Sequence, residues 1–354
     1  MADKLDNYRL LGRSGLRVSP LAFGTMTFGV QGSWGSSDEE AARMIDVYVD
    51  RGGNFIDTAN FYAQGESERV LARSMKGRRE RLVISTKYSL TMGFGDPNAA
   101  GNHRKNMMQA VEASLMRLET DYIDLLYLHM WDFRTPVEEV LRGFDDLARQ
   151  GKILYAGISD TPAWQISRMQ AIADLRGWTP LVALQVPYSL AERDVERDLL
   201  PMAKEMGVAA SPWGPLHNGV LAGKYSREDL KAASPTEIAG VDTRKDMAVM
   251  TGRLTAQSLD IADVVKEVAQ EMGRSAAQVA VAWTMQHPAV VSPVLGVRTL
   301  AQLEDNLGAL DVSFSPEQLQ RLEAVSHIDL GFPHDFLTGG TFNAMFGGCS
   351  VESR

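Results

Sequence analysis

The chain has 354 residues, 45% of them hydrophobic and 23% charged, a balance that supports a soluble fold with a sizeable apolar core. Its net charge of −9 (36 basic against 45 acidic residues) is spread along the chain, which argues against a general nucleic-acid or anionic-membrane binder but leaves room for a local phosphate pocket. One cysteine, Cys349, excludes an intrachain disulfide; MADKLDNYRL lacks a signal-peptide core, and no run nears the roughly 18 apolar residues of a membrane span, so the expectation is a cytoplasmic protein.

Apolar runs of strand length alternate with helical patterns. LAFGTM (21–26) leads to Ser37 and the acidic start of DEEAARMIDVYVDRG, which Gly52 and Gly53 end. NFIDTA (54–59) precedes ESERVLARSMKG, LVISTK (82–87) precedes KNMMQAVEASLMRLE, and IDLLYLH (123–129) precedes VEEVLRGFDDLARQG. ILYAGIS (153–159) leads to AWQISRMQAIADLRG, and LVALQV (181–186) to DLLPMAKEMG. VAASPW (208–213) leads to the pair LDIADVVKEVAQEMG and AAQVAVAWTMQH, and VVSPVLG (290–296) to LAQLEDNLGAL.

Continuously apolar strands, each followed by a helix, predict parallel pairing buried on both faces. Eight such units predict an α/β fold, a single (β/α)8 TIM barrel over 1–354. An open doubly wound sheet is the alternative, and the lack of a GxGxxG after any strand counts against it. Gly12-Arg13-Ser14-Gly15 falls in an expected N-terminal β-hairpin (1–20) placed to plug the barrel floor. Three long segments, 90–103, 214–258 and the tail 330–354, are expected on the C-terminal face or within reach of it.

In such a barrel chemistry gathers where the strands end. The second strand ends in Asp57, the third in Lys87 and the fourth in His129, with Tyr62 in the loop after the second. Each residue alone has a plain structural reading: a turn cap, a snorkelling lysine, a core histidine, a packing ring. Together they compose a proton donor. A free phenol titrates near 10, an adjacent ammonium stabilises its phenolate, and a carboxylate keeps that ammonium charged and oriented. The imidazole can orient a carbonyl. A group that protonates oxygen implies that another species attacks the carbon.

The motifs FGTMTFG (23–29), NFIDTANFYAQGESE (54–68), VISTK (83–87), RLETDYIDLLYLH (117–129), GKILYAGIS (151–159), LQVPYSL (184–190), GVLAGKY (219–225) and GVRTLAQLEDNLGAL (296–310) resemble the aldo-keto reductases over nearly the whole length. The resemblance implies Tyr62 as general acid/base, Lys87 and Asp57 tuning it, and His129 orienting the carbonyl. It also implies hydride exchange with a nicotinamide cofactor lying extended across the barrel mouth, bordered by Gly24, Thr25 and Met26. Ser159, Asp160 and Gln185 would hold the nicotinamide amide, with Tyr188 stacked on the ring. Ser211, Gly219, Leu221 and Lys224 would face the pyrophosphate under the covering loop 214–258. Gly296, Arg298, Gln302, Asp305 and Asn306 would take the adenosine end. A guanidinium fork at the start of a helix suits a 2′-phosphate, so NADP(H) is preferred over NAD(H). Asp160 stands where many members carry asparagine, and its charge would favour holding the oxidised, cationic ring.

Trp34, Phe61, Tyr88, Trp131 and Trp213 follow strand ends and are expected to form an aromatic pocket for a bulky or aromatic aldehyde or ketone, or a cyclic secondary alcohol in reverse. The expected partner is thus a small carbonyl or alcohol, with the chain a monomer or a weak homo-oligomer. Two rival readings stand beside this one. A metal-dependent barrel hydrolase would need an HxH pair that the strand ends lack. An NADP(H)-binding regulatory or channel-type subunit with little turnover would keep the same four residues.

Overall fold

The computed structural model describes residues 4–29, 35–232 and 243–338, together with Met345, Gly347 and Cys349. Trp34, residues 233–242 of the covering loop and nearly all of the tail beyond 338 lie outside the described residues.

The chain opens with an antiparallel hairpin of β1 (Arg9–Leu10) and β2 (Arg17–Val18). Eight parallel strands follow: β3 (Ala22–Gly24), β4 (Phe55–Asp57), β5 (Val83–Tyr88), β6 (Ile123–Leu128), β7 (Ile153–Ser159), β8 (Leu181–Gln185), β9 (Ala209–Ala210) and β10 (Val294–Gly296). They pair in chain order from β3 to β9, and β10 returns to β3. The remaining seam closes through the segment before β10, where Ala210 N–H donates to Ala289 O (2.9 Å) and Val291 N–H to Ala210 O (2.8 Å). This is the (β/α)8 barrel expected from eight apolar runs.

Period two along the strands sorts side chains into two cores. Ile56, Ile84, Leu126, Ile158, Leu184 and Leu295 point outward and pack under the helices in the large shell core. Phe55, Val83, Leu125, Tyr127, Ala183, Ala209 and Val294 point inward and fill the barrel with Leu11 and Val18 of the hairpin. The hairpin is therefore the floor. Gly12 makes this possible: its φ of +58° is left-handed, and a Cβ there would meet Val182 O at 2.3 Å.

The helices are α1 (Asp38–Asp50), α2 (Glu66–Ser74), α3 (Arg104–Leu118), α4 (Val137–Arg149), α5 (Ala163–Arg176), α6 (Leu199–Met206), α7 (Arg227–Ala232), α8 (Arg244–Met250), α9 (Ala256–Met272), α10 (Ala276–Thr284), α11 (Leu300–Leu307), α12 (Pro316–Ser326) and α13 (His334–Thr338). Ser37 caps α1 by accepting from Glu40 N–H, as its sequence signature predicts, and three acids in the first turn complement the helix dipole. Among the described residues no helix is long and apolar enough to cross a membrane.

Candidate active site

Continuing each inward row past the filled barrel leads to its C-terminal mouth. Phe55 is followed two residues on by Asp57, Val83 by Ser85 and Lys87, Leu125 by Tyr127 and His129, and Ala183 by Gln185. The same alternation that packs the core thus delivers polar groups to one layer above it. Lys87 is the penultimate residue of β5 rather than its last, and His129 comes directly after β6, its N–H held by Tyr88 O at 2.9 Å.

In this layer Lys87 Nζ donates to Asp57 Oδ2 at 2.6 Å, to Thr58 O at 2.8 Å and to Tyr62 Oη at 3.4 Å. The other carboxylate oxygen of Asp57 accepts from Ser85 Oγ (2.7 Å) and Gln185 Nε2 (3.0 Å). The pair has no access to water, with side chains 0% and 2% exposed. The Tyr62 ring meets His129 edge-on, centroids 5.9 Å apart. The four residues that the sequence points to therefore converge.

The loop carrying Tyr62 is held from below. Ala63 and Gln64 follow it with φ of +47° and +55°, a strained backbone for non-glycine residues. Buried Glu68 fixes the start of α2 to β5 by accepting from Thr86 Oγ1 and Arg117 Nε, each at 2.6 Å. Ser67 Oγ donates to Thr25 O and Phe28 O. Glu68 and Arg117 are positioning residues that sequence reasoning missed; a carboxylate inside the quoted FIDTANFYAQGESE motif was the available signal.

Burial sets the proton affinities here. It pushes the Tyr62 phenol above its ordinary value, and the Lys87 ammonium offsets this only in part. The net direction is opposite to the lowering expected from the ammonium alone. Burial also works against the Lys87 ammonium, but Asp57 and Tyr62 outweigh it and raise its pKa. Burial, reinforced by Lys87, brings His129 down to about 3, so its imidazole is neutral at physiological pH.

A cavity of about 500 Å³ opens beside Tyr62 and His129. It runs past Gly24, Met26, Ser159, Asp160, Gln185 and Gly219 to Lys224, Gly296, Arg298, Gln302, Asp305 and Asn306, with Phe61 and Trp213 in its wall. Asp160 has a left-handed φ of +40°, and its Oδ1 accepts from Trp213 Nε1 at 3.3 Å. Arg253 covers the outer face of the Trp213 ring at 4.7 Å. At the far end Gln302 Oε1 accepts from Arg298 N–H, and Asp305 from Ser275 Oγ and Gln278 Nε2. Reasoning from sequence missed the cavity-lining Leu90, Leu216, Tyr225 and Arg244, most of them in the covering loop, where no strand period fixes a direction.

Several named residues stand apart from the cavity. Tyr188 points outward: its hydroxyl donates to Glu196 (2.7 Å) and its ring lies against Trp283 and His287, so it does not offer the stacking face expected of it, and Trp213 borders the cavity instead. Tyr88 donates to Asn102 O (3.1 Å) and packs edge-on against Phe144, anchoring the 90–103 loop rather than lining a pocket. Trp131 is buried beside it. Ser211 Oγ donates to Ser292 O, Leu221 is core, and Thr25 is buried with its N–H on Asp57 O. These side chains are buried, and none of them lines the cavity.

Comparison with known proteins matches this architecture. The model of the Aldo/keto reductase family matches residues 20–327. The chain is 40% identical over 346 residues to norsolorinic acid reductase of Aspergillus flavus, covering 94% of this chain and 84% of the relative. It is 36% identical to the aryl-alcohol dehydrogenase [NADP(+)] of Phanerodontia chrysosporium (94% and 89% covered) and 34% identical to a putative aryl-alcohol dehydrogenase of Saccharomyces cerevisiae (94% and 90%). With relatives matched nearly end to end and a family model over most of its length, the chain belongs to the aldo/keto reductase family and is an oxidoreductase of carbonyl and alcohol groups.

Proposed function

We propose that the chain interconverts a bulky, apolar or aromatic aldehyde or ketone with its alcohol, using NADP(H), and that Tyr62 is the general acid/base. The observation that carries this reading is the ammonium of Lys87 held between Asp57 at 2.6 Å and the Tyr62 hydroxyl at 3.4 Å. A bound nicotinamide supplies or accepts the hydride. In the reducing direction the Tyr62 hydroxyl gives its proton to the carbonyl oxygen, and the phenolate left behind faces a fixed ammonium. Asp57 keeps that ammonium charged in a site without water. Neutral His129, edge-on to Tyr62, is placed to donate a hydrogen bond to the same oxygen.

The residues present fit a dinucleotide. Asp160 and Gln185, with Ser159, offer polar atoms to a carboxamide within reach of Tyr62 along one cavity. Arg298, which lines the cavity just before α11, suits a phosphate. Phe61, Leu90, Met26 and Trp213 give the reacting end an apolar wall, which supports an aromatic substrate class, as does the similarity to aryl-alcohol dehydrogenases. Reduction of an aromatic aldehyde panel with NADPH tests the reading. Tyr62→Phe is expected to lower kcat by about 10²- to 10⁴-fold with NADPH affinity kept; full turnover in that variant refutes the assignment.

A further inference from the structure

The side chains that fill the barrel directly beneath the acid–base layer include a phenol. Tyr127 is inward on β6, two residues before His129, and is level with Lys87 of β5 on one side and Gly157 of β7 on the other. It is fully buried, and among the described residues its hydroxyl has no hydrogen-bond partner. A phenylalanine would fill the same space among Phe55, Val83, Leu125, Ala183 and Val294 without leaving a polar group desolvated. A dry, unpaired hydroxyl at such a place marks a position where function overrides packing.

The ring leans in a definite direction. A Cβ on Gly157 would meet Tyr127 Cδ1 and Cε1 at 2.6 Å each and Ala183 O at 3.2 Å, so the edge of the phenol lies across β7 at its glycine and reaches toward β8. On β8 the next inward residue after Ala183 is Gln185. Burial and then the Asp57 charge hold Tyr127 as a neutral phenol, while Gln185 acts on it in the opposite sense. Gln185 itself faces two ways. Its Nε2 donates to Asp57 Oδ1 at 3.0 Å, and its side chain lines the cavity beside Ser159 and Asp160. A carboxylate accepts and does not donate, so the NH2 end of the amide is the end that turns to Asp57. Of its two hydrogens one goes to Asp57, and the phenol oxygen of Tyr127 stands on the barrel side to attract the other.

We infer that Tyr127 is a positioning residue: its hydroxyl backs the NH2 end of Gln185 from inside the barrel and so presents the amide oxygen to the cavity, where that oxygen accepts from a carboxamide NH2. This rests on the NADP(H) reading above, which brings the nicotinamide amide to Ser159, Asp160 and Gln185. The phenol acts through Gln185 alone and touches neither cofactor nor substrate.

The test is Tyr127→Phe, read by equilibrium binding of NADP+ and of its 3-acetylpyridine analogue, in which a methyl group replaces the carboxamide NH2. Quenching of tryptophan fluorescence follows binding, and thermal unfolding is measured alongside. Loss of the hydroxyl is expected to weaken NADP+ by about 3- to 10-fold, the range of one hydrogen bond, and to leave the analogue within about twofold. The Tm is expected to stay level or rise, because an unpaired hydroxyl leaves the core. Gln185→Leu should remove the same discrimination, and adding Tyr127→Phe to it should change nothing further. Unchanged NADP+ binding in Tyr127→Phe overturns the assignment and makes the phenol a core filler. Equal weakening of both dinucleotides overturns it as well, as a general disturbance of the barrel mouth. If the wild-type chain binds neither dinucleotide, the cofactor reading itself falls; if it binds NADP+ and the analogue equally while Tyr62→Phe is inactive, only the role of Tyr127 and the orientation of Gln185 fall.

Discussion

Consider removal of the ammonium at the centre of the site. Lys87→Met leaves Asp57 buried, with Ser85 and Gln185 as its remaining donors. Opposite charges 2.6 Å apart attract by about 6 kcal/mol at an effective dielectric constant near 20, and this attraction repays the removal of both ions from water. Taking away one partner of such a pair costs about 3–5 kcal/mol, because the other stays desolvated and unpaired. Unfolding entropy of about 2.1 cal/mol/K per residue makes each kcal/mol worth about 1.3 °C for 354 residues. Differential scanning calorimetry is therefore expected to place Lys87→Met about 4–7 °C below the wild type, and Asp57→Asn in the same range. The double variant Lys87→Met/Asp57→Asn has no buried charge to strand, and its Tm should lie within about 3 °C of the wild type while turnover remains lost. A double variant whose loss equals the sum of the singles would refute the reasoning that the cost of each single variant is a stranded buried charge.

Three further outcomes follow from the proton affinities. Because His129 is held near 3 and Tyr62 above its ordinary value, carbonyl reduction should show no limb near pH 6.5, while alcohol oxidation, which needs phenolate, should rise through pH 9 without levelling; steady-state profiles in both directions check this, and a reduction limb at 6.5 counts against a neutral imidazole. Buried His217 is brought down to about 4, so its folded form resists a proton that the unfolded chain takes below about 6.5. The stability it contributes is complete above that value and is lost as pH falls, by about 2 kcal/mol at pH 5; His217→Gln should remove about 3 °C of the Tm difference between pH 7 and pH 5, and an unchanged difference contradicts it. Asp160→Asn should reduce the preference for NADP+ over NADPH by on the order of threefold to tenfold at pH 8, read as the ratio of the two dissociation constants, with equal ratios in both proteins sinking the idea.

The barrel was legible because its strands are apolar on both faces and each is followed by a helical period. The tetrad was legible for a related reason. Asp57, Lys87 and His129 lie an even number of residues beyond inward-facing Phe55, Val83 and Leu125, so strand parity alone aims them at one mouth. Tyr62, five residues past Asp57, came from the motif and not from parity, since its loop turns through left-handed backbone at Ala63 and Gln64.

Parity does not extend to side chains in loops, and there sequence reasoning went astray. Tyr188 follows β8 by three residues, yet Glu196 and Trp283 offer its hydroxyl and ring a better place outside the cavity. Tyr88 closes β5, but the opposite parity from Lys87 sends it outward to Asn102 and Phe144. Arg244 was invisible for the converse reason: fifty-two residues separate it from Gly296, and only the return of the long segment over the barrel mouth brings them together. By itself the sequence determined the fold and the convergence of Asp57, Lys87 and His129, because both follow from a period of two in hydrophobic strands. The tertiary structure alone decided the direction of Tyr62's proton affinity and the presence of Arg244 in the wall of the cavity that Arg298 lines, because burial and long-range loop return have no local signature.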